Sequence, residues 1–190
     1  MMIRTYLPLI ALLFATPLSA QEVPAAGFNA ETILALKGLQ LLDQRLNAIG
    51  YRLARANTAY CADKAAQSGL LLHDIDQYPD QPVARFALGF DGPVVVIAVA
   101  PDSPGAAAGL LPGDDILAIN GVKIDDISSD DAAFANEPLG YRRIAAVNQR
   151  LESALAQADV TLDILRGGEQ IQRIVASSQA CPSRFQIAVS

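Results

Sequence analysis

Residues 93–124, PVVVIAVAPDSPGAAAGLLPGDDILAINGVKI, constrain the fold more than any other part of the sequence. Residues 94–99 form an unbroken, mostly β-branched apolar run of strand length, stopped by Pro101-Asp102-Ser103-Pro104. Ser103 is placed to cap a helix, and Pro104 suits its first turn, where a missing N–H costs nothing. Ala106, Ala107 and Ala108 combine high helix propensity with little bulk, so one short turn can lie close against a sheet; Gly109 suits the left-handed residue that ends it. Pro112-Gly113-Asp114 then turns the chain into a second strand, 115–119, and Asn120-Gly121 predicts a tight hairpin into 122–124.

The flanks extend this pattern. Residues 160–166 and 169–176 alternate around Gly167-Gly168 as a closing hairpin. Residues 141–158 predict the main helix, with Ile144, Val147, Leu151 and Leu155 on one face, and 125–140 read as a polar surface loop. Upstream, 70–75 predict a short strand and 82–88 a helical turn. Asn29 can cap a long helix reaching about Asn57, in which Leu36, Leu39, Leu42, Leu46, Ile49 and Leu53 recur at helical steps. The stripe is expected to pack against its own domain. A dimerising coiled coil is the sharper alternative, weakened by Gly38 and Gly50.

Residues 1–20 read as a secretory signal peptide: Arg4, an apolar run over 7–14, and small Ser19 and Ala20 at the cleavage point. The run is too short to span a bilayer, so no stable membrane anchor is expected after cleavage. Losing Arg4 takes the net charge from −6 to −7, which invites neither nucleic acid nor an anionic membrane. Cys61 and Cys181 are the only cysteines, and export predicts that they form one disulfide rather than two free thiols. The expected organisation is a signal peptide at 1–20, a leader at 21–28, an N-terminal helix at 29–60, a binding domain at 68–178, and the start of a following segment at 179–190.

The order of strand, short helix, hairpin, long helix and hairpin resembles the PDZ domains of bacterial envelope proteins, including those attached to trypsin-like heat-shock proteases. The resemblance implies an α+β fold: a small PDZ-like β-barrel or sandwich with a short and a long helix, preceded here by the amphipathic helix. It also implies a partner, an extended peptide or protein C-terminus, which adds as a strand and is held by backbone N–H groups of a GLGF-type loop. On that basis Leu88, Gly89 and Phe90 form the expected end-clamp, with the loop nearer residues 68–72 as the other placement. Val147 and Leu151, four apart on the long helix, form the expected apolar wall. A narrower resemblance links the helix ending near Cys61, the segment GLLLHDIDQY, and Ala180-Cys181-Pro182 to the N-terminal half of periplasmic zinc metallopeptidases of alpha-proteobacteria. It implies a protease domain in cis, and Phe185, Ile187 and Val189 are expected to begin a segment that continues past Ser190.

The residues as they stand exclude several chemistries. His73 is the only histidine, so HExxH and every site needing two histidines are ruled out, and G-x-S-x-G, S-x-x-K, C-x-x-C and phosphate-loop motifs are missing. Asp126, Ser128, Asp130 and Glu137 have the spacing of a calcium loop, but Asp131 stands where the sharp turn wants glycine, so a solvated acidic loop is expected. The sequence therefore predicts a non-catalytic binding module with no metal or cofactor, exported to the periplasm or beyond, with a structural adaptor using the leucine-striped helix as the alternative.

Overall fold

The computed structural model describes residues 27–129 and 132–182. The expected signal peptide, most of the leader, Asp130 of the calcium-like spacing, and the run from Phe185 to Val189 lie outside the described residues. The elements are α1 (Ala30–Ala56), β1 (Ala65–Ala66), β2 (Leu70–Asp74), α2 (Gln81–Leu88), β3 (Val94–Val99), α3 (Pro104–Ala107), β4 (Asp115–Ile119), β5 (Val122–Lys123), α4 (Leu139–Leu155), β6 (Val160–Arg166), β7 (Glu169–Val175) and β8 (Gln179–Ala180). The main sheet is antiparallel, with strand order β2-β3-β4-β6-β7 and β5 hydrogen-bonded to β4. This is a mixed α+β architecture in which α1 and α2 precede β3 and the short α3 and the long α4 follow it, the PDZ-like order that the sequence implies.

The local chemistry of the central segment is as its residues dictate. The Ser103 hydroxyl accepts from Ala106 N at 3.1 Å and caps α3, and Asn120 and Gly121 both take positive φ in the β4–β5 hairpin. Two buried aspartates then fix the strands around it. Asp114 accepts from Arg166, on β6, through both oxygens, and from Leu111 N at 2.8 Å. The Asp115 carboxylate accepts from Asp91 N and Gly92 N at 3.0 and 2.8 Å. Burial raises its pKa, against the lowering by those backbone bonds.

β3 is buried on both faces, and alternate residues serve two cores. Val94 and Val96 join Leu72, Ile116, Val147, Leu151 and Ile164 under α4; Val95 and Ile97 join Ile33, Val83, Leu88 and Phe90 under α1 and α2. The N-terminal helix is thus the lid of the second core. It approaches through Ile33, Gly50, Tyr51 and Ala54, and Asn47 Nδ2 donates to Gly69 O at 2.9 Å. This corrects the expectation that the leucine stripe is core: Leu39, Leu42, Ile49 and Leu53 are exposed. The side that faces the domain carries Ile33, Gly50, Tyr51 and Ala54, and of the stripe Leu36 packs against the second core, while Asn47 and Gln40 satisfy carbonyls of the sheet side.

The far end of α1 is tied down covalently. Cys61 and Cys181 form a disulfide with Cα atoms 5.6 Å apart, beside the short β1–β8 pair, and Cys181 N donates to Ala54 O at 3.2 Å. The bridge closes a separation of 120 residues, so removing it through Cys61→Ser with Cys181→Ser should lower the unfolding free energy by roughly 3–5 kcal/mol in urea titrations. Oxidised protein should show no alkylatable thiol until it is reduced; two thiols in denatured, unreduced material would contradict the pairing.

Candidate functional site

The edge strand β2 and the helix beside it make the place where an extended chain could add. Ile75 N donates to Pro93 O and Gly69 O accepts from Ala100 N, so the odd-numbered residues of β2 face β3. Leu70, Leu72 and Asp74 accordingly turn their backbone polar groups to the outer side. Two of those donors are held by the protein's own side chains: Leu70 N donates to Ser68 Oγ at 3.1 Å and Asp74 N to Gln77 Oε1 at 2.7 Å.

The start of the edge is a shaped loop. Gly69 has φ +76°, and a Cβ there would collide with Ser103. Ser68 O accepts from Gly105 N at 2.9 Å, and Gly69 O accepts from both Ala100 N and Asn47 Nδ2, so both carbonyls are anchored inward against α3, β3 and α1. The far end is closed by α4. Arg143 makes a bidentate pair with the fully buried Asp74 and a second contact of 2.9 Å to Asp76, and Gly140 lies so close to Asp76 O that a Cβ would not fit. Hydrogen bonding to Asp74 raises the Arg143 pKa further, so this cation is permanent.

The structure separates the residues that the sequence brings together. Leu88 and Phe90 are buried in the α1-covered core, and Gly89 is the left-handed cap of α2. Val147 and Leu151 are buried in the α4-covered core, on the opposite face of β3. The expected end-clamp and wall therefore cannot border one groove, and Val147 and Leu151 line no open one. A carboxylate is bound just after Leu88-Gly89-Phe90, at Asp91 N and Gly92 N, but it belongs to Asp115. The second placement read from the sequence, Ser68 to Leu72, covers the Ser68-Gly69 turn and the first residues of β2. Arg143 and Asp74 had no signal of their own, since pairing across 69 residues is a product of the fold.

His73 projects to the α1 side, where Nδ1 and the Tyr78 hydroxyl share a hydrogen bond and the rings are 6.0 Å apart. Burial lowers its pKa to about 4, so its role is structural and neutral. Among the described residues no cluster of histidine, cysteine, aspartate and glutamate could hold a metal, and no helix is long and apolar enough to cross a membrane.

With the geometry in place, the comparisons give it a class. A family model described as PDZ domain matches residues 95–140, and the fold is PDZ-like. The match covers the β3–β5 centre, whereas β2 and nearly all of α4 lie outside it. Among solved structures, the chain is similar to the HtrA-type protease AlgW with decapeptide, at 23% identity and a TM-score of 0.42, over 63% of this chain and 31% of that one. It is also similar to the HtrA3 PDZ domain bound to a phage-derived ligand (FGRWV), at 20% identity and a TM-score of 0.41, over 62% of this chain and 90% of that one. The chain thus spans about a third of the length of the AlgW protease. No curated protein sequence matches it. A PDZ domain is a binding module, not itself a catalyst.

Two measurements check this placement. His73 stays neutral in the folded protein down to about pH 4, while the unfolded chain takes up its proton near pH 6.5, so stability falls as pH drops between these values. The loss by pH 4 should approach about 3 kcal/mol, and His73→Gln should flatten that part of the urea-midpoint profile. Leu151→Asp puts a charge into the α4-covered core and should unfold the domain, costing about 4 kcal/mol or more; a folded variant changed only at its surface would mean that Leu151 faces a groove.

Proposed function

We propose that the chain is an exported recognition module that captures extended peptides by strand addition to the outer edge of β2, with the peptide's free carboxylate seated at the Ser68-Gly69-Leu70 loop. The observation that carries this reading is the edge itself: a β2 strand with outward backbone groups at Leu70, Leu72 and Asp74, headed by a glycine loop whose carbonyls are turned away. An incoming carboxylate would replace Ser68 Oγ as acceptor for Leu70 N. The PDZ match supports the same class of ligand. The Arg143–Asp74 pair shuts the far end, so the groove takes only the last few residues of a ligand unless α4 moves.

Within this reading the module serves an envelope proteolysis system as its regulatory or substrate-presenting part. The signal-like N-terminus and the resemblance to zinc metallopeptidases support that assignment, with the protease either in cis or in a separate chain. The reading frame after codon 190 distinguishes the two arrangements: an HExxH domain there makes the partner a cis domain, and a stop codon makes it a separate protein.

Titration with a library of C-terminal peptides should give micromolar ligands with an apolar last residue. Amidating the C-terminus should weaken a ligand at least ~10-fold, because the loop then faces no charge. N-methylation of alternate peptide amides, those facing β2, should abolish binding while methylation of the others is tolerated. Ligands indifferent to both changes would refute strand addition.

A further inference from the structure

Among the described residues, no element packs on the outer face of α1, which carries a heptad seam. Ala35, Leu39, Leu42, Leu46, Ile49 and Leu53 follow one another at steps of 4, 3, 4, 3 and 4, the spacing of a coiled-coil contact line. Leu39, Leu42, Ile49 and Leu53 are 43%, 46%, 48% and 50% exposed, on a face distinct from the Ile33, Gly50, Tyr51 and Ala54 side that packs on the domain. We propose that this seam is covered by α1 of a second copy of the chain, running antiparallel, to give a two-fold dimer.

Charge selects the direction and the register. Glu31, Arg45 and Arg52 flank the seam on one side, where Arg45 also lines a crevice with Val99, Pro101 and Pro112, and Asp43 flanks it on the other. In a parallel pair these positions would face Leu36, Gly50, Asn57 and Gly38, which offer no opposite charge. An antiparallel pair centred on Gln44 sets Arg45 against Arg45 and Asp43 against Asp43, and a pair shifted toward Leu53 sets Arg45 against Arg52. Shifting the other way places Leu39 against Leu42 of the second copy, Ala35 against Leu46 and Thr32 against Ile49. Each of these contacts occurs twice. In this register Glu31 of each copy meets Arg52 of the other, and Gly38, with open space around it, leaves room for the stem of Arg45.

The seam and the stems of the flanking arginines bring on the order of 600 Å² per copy under cover, at the low end for a specific interface, so a reversible dimer is expected. Sedimentation equilibrium of the full chain over a wide concentration range tests it. A monomer–dimer equilibrium is expected. Leu42→Asp should leave only monomer with an unchanged circular dichroism spectrum and, at concentrations where the parent chain is itself monomeric, an unchanged melting temperature, because Leu42 supports no core. Glu31→Arg and Arg52→Glu should each weaken the dimer roughly 5- to 30-fold, two symmetry-related pairs being lost, and the double variant should restore it to within a few-fold. A chain monomeric at every concentration overturns the proposal, as does a dimer that tolerates Leu42→Asp, a seam that binds neutral phosphatidylcholine vesicles in place of itself, or a charge swap without rescue.

Discussion

A strand with apolar residues on both faces needs two covers, and the rest of this structure follows from supplying them to β3. Val94 and Val96 are enclosed by α4 and the closing hairpin, Val95 and Ile97 by α1 and α2. Each fully buried valine or isoleucine contributes about 1.5–3 kcal/mol, so an uncovered face would forfeit a large share of a small domain's stability. The helix that precedes the PDZ-like part is therefore integral to it. Its attachment is polar as well as apolar, with Gln40 and Asn47 reaching the Ile97 and Gly69 carbonyls and the disulfide fixing its far end.

The same constraint explains how the molecule handles its buried carboxylates. Asp74, Asp114 and Asp115 are nearly or wholly inaccessible, and each is satisfied by backbone N–H groups, by an arginine, or by both. Asp114 locks β4 to β6, Asp115 locks it to the turn before β3, and Asp74 locks the end of β2 to α4. The last of these has a functional consequence, because it decides how much of the β2 edge lies open beside the long helix. The Ser68-Gly69-Leu70 loop sits at the opposite end of that edge, held by α3 and α1 but not by α4.

Local readings succeeded where one segment answers to one physical requirement. The strand at 94–99, the Ser103 cap, the Asn120-Gly121 hairpin and the Gly167-Gly168 turn are properties of a few consecutive residues. They failed where two faces compete. Val147 and Leu151 have the spacing of a groove wall and of a core face alike, and burial assigned them to the core. Leu88-Gly89-Phe90 has the look of a clamp, yet its glycine ends a helix and its two large side chains fill a core. On α1, leucines dominate one arc, but the arc that packs is the one carrying Ile33, Leu36, Gly50, Tyr51 and Ala54, so of the stripe only Leu36 reaches the second core.

The sequence by itself determined the main elements and their order, the PDZ-like centre and the capacity for a single disulfide, because these rest on propensity, capping, turn chemistry and counting; the short β1–β8 pair and the buried Phe134 within 125–140 had no such local signal. Tertiary structure alone decided which face of each helix is inside, that β3 divides two cores, that Asp115 occupies the first candidate carboxylate loop, and that Arg143 closes on Asp74. Those outcomes depend on pairings between residues far apart in the chain, whose energies arise only when the fold removes water from between them.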